Sequence, residues 1–524
     1  MSLSSDHPDA APSVTAALTA DHHSTETAVA VVDERRLLKT MHWYDGFVMT
    51  LSNPGFIIAG IGYTTGQIGA LGALAFWLGS MIIAVLQNKI YTEPATMFPE
   101  HSGGIAMYAF EGWRSRFSLA GPMSAIGYWA GWSSVLAIFG LTTGSLVQAQ
   151  WFPSQTWSVT HIVHLDLPRL IAVGLIIALW IINSLGVKPM KLMGYLTGTL
   201  LFVPLILFMI VPFFLSDFSF SHLSWGLLGA AGSPWGAVQL GLVWLYLNAW
   251  SAYGIEVCAT FAPEYHDTER DTHKALIRSA MFCLGVYALL PVALGGVVSQ
   301  QAMADAPMGF YADLLHREIG GAASNVVIIF MIGSFLLGMN AASAGGARTL
   351  YGMARSGMTI TWFDHVNKHN VPNRGMYVDV VLNICAVLLL PTTVAVLAAS
   401  NMGYVLCHVF ALSAVLLLRR DRPDLPRPMR LSTPWLWVAA ALALFNCLLL
   451  AVGATSFSMT GYGGIREFIV GLALLVLGCA LYIYRRVVQD RARFTVRDQT
   501  MDIPVVTQAA VAGATVSRTT GETA

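Results

Sequence analysis

The sequence predicts an all-α integral membrane protein with twelve transmembrane helices, and three observations carry that expectation. Of the 524 residues, 55% are hydrophobic and only 11% are charged, against about 25% charged in a soluble globular domain. Mean hydropathy is +0.61. The apolar residues gather into segments of about 20, the length that crosses a bilayer as a helix. The basic residues divide unevenly between alternate connections, as a fixed orientation in a membrane requires.

The expected spans are 45–64, 68–89, 119–148, 168–186, 192–215, 236–262, 277–299, 322–347, 376–395, 397–418, 434–454 and 467–485. The connections are too short for a soluble domain. The first span is interrupted by Ser52-Asn53-Pro54-Gly55, because proline lacks the N–H and clashes with the preceding turn. The sixth is interrupted by Ser251-Ala252-Tyr253-Gly254, since glycine costs about 1 kcal/mol against alanine in a helix interior. Irregular backbone at membrane depth is tolerated where it lines a cavity or is buried in protein. Paired interruptions in two halves of a chain point to a secondary transporter's binding site. Spans one and six are where a five-plus-five repeat would place them.

Orientation follows from the lysines and arginines. With the N-terminus in the cytoplasm, Arg169, Arg317 and Arg466 are the exceptions among 29 basic residues; the rest fall on or next to the inner side. The expected organisation is a disordered cytoplasmic tail over 1–40, a single transporter domain over 41–488, and a second disordered cytoplasmic tail over 489–524. The first forty residues lack the continuous apolar stretch of a cleavable signal peptide. The six cysteines lie in apolar segments, so buried small hydrophobes are expected, not a disulfide framework. Zero formal net charge leaves no basic surface for nucleic acid.

The two interruptions supply the candidate binding chemistry. A helix that restarts after a break exposes free amides and a positive dipole end, which suits a carboxylate. Gly55 and Phe56, with Ile57, would offer those amides in span one, and Gly254 and Ile255 in span six. The carbonyls ending the first halves, near Leu51, Ala249 and Trp250, suit an ammonium group. The candidate substrate residues are therefore Ser52, Asn53, Gly55, Phe56, Trp250, Tyr253, Gly254 and Asn340. For Asn340, a bond across helices weighs equally with substrate contact. Trp129, Trp132, Phe335 and Tyr404 are further aromatic candidates, each set against ordinary packing. Glu256 is a carboxylate within an apolar run, and such a group marks function by default. It is the candidate for proton coupling, set against a structural acceptor between helices. Glu93 reads as a wetted structural residue and His408 as an interhelical bond. The pattern His161-x-x-His164-x-Asp166 reads as a polar loop in preference to a metal site. No nucleotide-binding loop, zinc signature or nucleophile elbow is present, so neither cofactor nor enzyme is expected.

Three stretches carry a resemblance. TEPATMFPEHSGGIAMYAFEGW (Thr92–Trp113), AYGIEVCATFAPE (252–264) and NAASAGGARTLYGMARSGMTITWF (Asn340–Phe363) occur in the order and spacing of the amino acid–polyamine–organocation permeases, which the chain resembles from about Tyr44 to Arg486. The resemblance implies an inverted five-plus-five (LeuT-like) fold with discontinuous helices 1 and 6, two peripheral helices and alternating access. It implies an amino acid or small amine as substrate. Two features depart from the family. Leu192–Ser216 lacks the lysine that serves proton coupling in some members, and Ser52-Asn53-Pro54-Gly55 replaces a glycine-serine-glycine-like motif. The expected function is a secondary active transporter in the cell membrane, coupled to protons or working by exchange. A polyamine or cationic amino acid carrier is the alternative within transport, and a nontransporting membrane sensor the alternative outside it.

Overall fold

The computed structural model describes residues 42–50, 53–98, 104–160, 162–186, 192–193, 197, 200, 202–258, 265–369 and 371–497. Ser52, Leu51, His161, the tail 1–40 and residues 498–524 lie outside them. Eight helices among the described residues are long and apolar enough to cross a membrane: Gly55–Met97, Ala120–Trp151, Leu167–Ser184, Thr268–Val297, Phe310–Arg355, Thr393–Asp421, Thr433–Thr455 and Ile465–Gln489. Val203–Phe214 is a shorter apolar helix. Trp43–Thr50, Pro234–Tyr253 and Asn373–Leu389 also overlap expected spans.

The helix Asn53–Met97 holds both the second half of expected span one and all of span two. They meet at Gly69, whose φ of 78° and ψ of 167° are not helical. Glycine suits the position twice over. Its φ lies where L side chains are strained, and a Cβ would sit 2.4 Å from the Ser224 carbonyl oxygen. The backbone on both sides is pinned to that loop, through Leu71 N–H to Ser224 O and Gly226 N–H to Ile68 O. Gly320, with φ 77° and ψ 167°, interrupts Phe310–Arg355 in the same way.

Burial sorts the helices into centre and edge. The apolar window of Ala120–Trp151 is 83% buried, whereas those of Leu167–Ser184, Ile465–Gln489 and Thr433–Thr455 are 22%, 28% and 33% buried. Trp437, Leu444, Ile465 and Val476 face outward at the edge, as lipid contact requires. At the centre, Ala120–Ser133 crosses Thr393–Asp421 at Gly127 and Gly403. A Cβ on Gly127 would lie 2.3 Å from the Gly403 carbonyl oxygen, so two glycines let the backbones touch, the usual device of helix packing in lipid.

Ion pairs fasten the helix ends on the side that the basic residues assign to the cytoplasm. Glu93 is not wetted, as the sequence suggested, but 1% exposed. Arg419 grips it through two 2.5 Å bonds, Arg427 Nε lies 3.3 Å away and Leu431 N–H donates to it at 2.9 Å. The reason is the 422–431 connection, which folds back over the end of Asn53–Met97. Nearby, Arg116 holds Asp421 in a two-pronged bond and keeps its carboxyl below the usual range. That pair is largely exposed and contributes little to stability.

On the opposite side, Ser158–Thr160 and His164–Asp166 form a small antiparallel ribbon. Asp166 accepts from Arg169 N–H at 2.9 Å; it caps the Leu167–Ser184 helix and is engaged as a structural group. All six cysteines are free.

Candidate functional site

The first interruption separates Trp43–Thr50 from Asn53–Met97. The helix resumes at Asn53 with Pro54 in its first turn, where a missing N–H leaves no bond unmade. Thr50 donates to Ser279 Oγ at 2.7 Å, which anchors the end of the first half to Thr268–Val297. The second interruption ends the helix Pro234–Tyr253 at Gly254, and residues 254–258 continue as a tighter 3₁₀ turn.

The two interruptions pack against each other. A Cβ on Gly254 would lie 2.8 Å from Asn53 Oδ1, so the missing side chain of one break makes room for the carboxamide of the other. Tyr287 ties both together. Its hydroxyl bonds Ser251 Oγ and donates to the Asn53 carbonyl oxygen at 3.4 Å.

Three residues after Asn53 and four before Gly254 stand Phe56 and Trp250, with ring centroids 4.5 Å apart and planes at 37°. Trp250 Nε1 donates to the Gly131 carbonyl oxygen at 2.9 Å, which fixes the indole. Phe56 rests on Phe139 at 4.9 Å, and Phe139 rests on Phe335 at 4.8 Å. This aromatic plate lies between two cavities, because Phe56 and Trp250 line both. One cavity leaves about 30 Å³ of room and is bounded by Tyr63, Thr64, Trp77, Trp244, Asn248 and Ser251 among others. The other leaves about 10 Å³ and is bounded by Gly131, Trp132, Val135 and Tyr404. The larger has the apolar lining of a small-molecule site, with room in this conformation for about two water molecules. Trp77 Nε1 and Asn248 Nδ2, on residues that line it, have no hydrogen-bond partner among the described residues. Among the described residues, no charged side chain lines either cavity.

Glu256 lies behind the smaller cavity, 1% exposed. Tyr404, which lines that cavity, donates to Glu256 Oε1 at 2.8 Å. His408 sits one turn along the same helix, its Nδ1 2.8 Å from Tyr91 Oη. Tyr253 and Tyr404 both pack edge-on against its ring, at 4.8 and 4.9 Å. His408 thus makes the interhelical bond expected of it.

The sequence candidates separate into groups. Asn53, Phe56, Trp250 and Gly254 come together at the paired breaks, with Gly55 beside Phe56. Tyr253 turns toward His408. Asn340 stands apart, accepting from Asn183 Nδ2 at 3.1 Å. Trp129 donates to Asp379 Oδ1 at 2.9 Å, and Phe335 supports the plate from behind. Sequence reading missed Ser251, Asn248 and Asp379, each polar in an apolar run, and that was the signal available. It also missed Tyr287 and Trp77, for which aromatic residues in apolar helices give none.

The fold is that of a multi-pass helical membrane protein, with two small cavities beside paired helix breaks. The sequence pattern of the family described as amino acid permease matches residues 42–478. The chain belongs to that family, and is a transporter of amino acids or related amines. The polyamine transporter PUT1 of Oryza sativa subsp. japonica is 24% identical over 461 residues, covering 84% of this chain and 78% of its own. The amino-acid permease RocE of Bacillus subtilis (strain 168) is 24% identical over 398 residues, covering 72% and 78%. An uncharacterized transporter of Mycobacterium tuberculosis is 26% identical over 400 residues, covering 70% and 76%.

Proposed function

We propose that the chain is a secondary active transporter of the cell membrane that carries an amino acid or small amine by alternating access. The proposed architecture is twelve helices in a five-plus-five inverted repeat, with two peripheral helices and tails at both ends in the cytoplasm. Substrate occupies the space around the Phe56–Trp250 plate. The backbone of Asn53, Gly55 and Gly254 at the adjoining breaks takes its charged ends, and Ser52, Tyr253 and Asn340 remain proposed contributors. Glu256 couples the cycle to protons, or the carrier runs as an exchanger.

The observation that carries this reading is the aromatic plate between two cavities at contacting helix breaks. Rotation of Trp250 away from Phe56 would join the cavities, which is what passage of a solute requires. An uncharged lining favours a substrate whose own charges balance. A polycation would want several carboxylates, and Glu256, reached through Tyr404, is the one near the cavities. This favours an amino acid over a polyamine, although the rice relative is a polyamine transporter.

The test is uptake by the purified protein in liposomes against a panel of labelled amino acids, monoamines and polyamines, with and without an imposed pH gradient. Saturable uptake of an amino acid or monoamine is the expected result. Selective uptake of a polyamine would move the assignment to the cationic class, and ligand binding with no flux would make the protein a sensor.

A further inference from the structure

We propose that Asp379 is a second proton-binding carboxylate, linked to the Phe56–Trp250 plate through the helix Ala120–Ser133. The inference rests on the transport reading above. Asp379 is 1% exposed, and neither cavity includes it.

Its two oxygens have different surroundings. Oδ1 accepts from Trp129 Nε1 at 2.9 Å and from Ser133 Oγ at 2.7 Å. Oδ2 is buried and has no hydrogen-bond partner among the described residues. It faces Gly346 of the Phe310–Arg355 helix, where a Cβ would lie 2.7 Å from it. On its own helix, Asn383 Nδ2 donates to Ser133 Oγ at 2.9 Å and to the Asp379 carbonyl oxygen at 2.8 Å, while Asn383 Oδ1 is occupied by Ala137 N–H at 3.1 Å.

Both protonation states are provided for. Two donors serve an ionised Oδ1, and Oδ2 is the open position for a proton. A buried polar oxygen without a partner is costly, so gain or loss of that proton changes the balance of the whole cluster. The side chains that interact with the carboxylate electrostatically are Ser133 and Trp129. From Leu167–Ser184, the nearby group is Trp180, packed with Ala347, Val371 and Met376; Arg348, two residues beyond Gly346, is exposed. Among the described residues, no acidic or basic side chain adds to those two donors at the carboxylate.

The surroundings select a proton over a metal cation. An indole N–H and a carboxamide NH₂ can only donate, and Ser133 already donates one way and accepts the other. One bare carboxylate oxygen remains, too few ligands for a metal ion. Asp379 is six residues into a helix that begins at Asn373, about 9 Å of rise, so the path to the nearer aqueous face is short.

The link to substrate runs through one helical stretch. Trp129 and Ser133 hold Asp379, Gly131 O holds Trp250 Nε1, and Trp132 lines the smaller cavity. A shift of that stretch when Asp379 gains a proton moves the acceptor that fixes Trp250. A coupling of this kind is worth roughly 5- to 150-fold in affinity.

The experiment compares Asp379→Asn, Ser133→Ala and Glu256→Gln with wild type in liposomes. Counterflow of a transported compound is measured across pH, together with accumulation driven by a pH gradient. In Asp379→Asn, counterflow survives, its pH dependence flattens, and accumulation falls about tenfold or more. Ser133→Ala removes a donor from the ionised form, so it moves the pH midpoint of counterflow upward while keeping the carboxylate. Wild-type accumulation and an unchanged pH profile in Asp379→Asn would overturn the inference. Should that variant fail to fold, an unmoved midpoint in Ser133→Ala overturns it instead. Loss of coupling in Glu256→Gln alone would leave Glu256 as the sole proton site and reject Asp379. Absence of counterflow in wild type would reject the transport reading itself.

Discussion

Gly254→Leu weakens substrate binding tenfold or more while the protein remains folded and inserted. The first atom of any side chain at 254 would lie 2.8 Å from Asn53 Oδ1, closer than real Cβ contacts run. A leucine must push the two broken helices apart at the place where they touch. Overpacking of this kind costs about 1–3 kcal/mol, and a tenfold loss of affinity corresponds to about 1.4 kcal/mol. Affinity therefore falls by about tenfold to a hundredfold, before any direct loss of backbone contact with substrate is added. Gly254→Ala should show the same effect at smaller size. Binding is read by equilibrium dialysis with labelled substrate, and folding by a single symmetric peak on size exclusion in detergent. Wild-type affinity in folded Gly254→Leu would mean that substrate does not depend on this junction.

Glu256→Gln separates exchange from coupling. The glutamine keeps an oxygen to accept from Tyr404, now at 2.8 Å, so the packing around the smaller cavity survives. It cannot take up or release a proton. Exchange of substrate for substrate therefore persists, while accumulation driven by a pH gradient falls to the background of empty liposomes. Retained gradient-driven accumulation would reduce Glu256 to a structural acceptor between the Pro234–Tyr253 and Thr393–Asp421 elements.

The fold was readable from sequence to the extent that lipid imposes it. Each expected span overlaps a helix because a run of about 20 apolar residues has few other solutions at membrane depth. The break at Gly254 was visible because glycine and a following carboxylate are both costly in a membrane helix. What the sequence could not supply was pairing. Nothing in the spacing says that Asn53 fills the space Gly254 leaves, or that Phe56 meets Trp250. Those contacts depend on how helices cross, and crossing is set by close approaches such as Gly127 on Gly403. Glu93 was misjudged for the same reason. Its partners Arg419 and Arg427 lie more than 300 residues away in the chain, and their arrival turned an expected wet residue into a buried one. Asp379 went unremarked because it lies near the start of its span, where an acidic residue looks like a helix end in water. Burial between three helices became evident only with tertiary structure.

The proposed position of the substrate is against the Phe56–Trp250 plate. Counterflow by Trp250→Ala, measured beside wild type and Trp250→Phe in the same liposomes, tests it most directly. Removing the ring should leave counterflow at about a tenth of wild type or below, a loss of about 1.4 kcal/mol or more. Phenylalanine, which restores an aromatic surface without the bond to Gly131, should recover part of it. Wild-type rate and affinity in folded Trp250→Ala would contradict the claim and place the substrate elsewhere in the molecule.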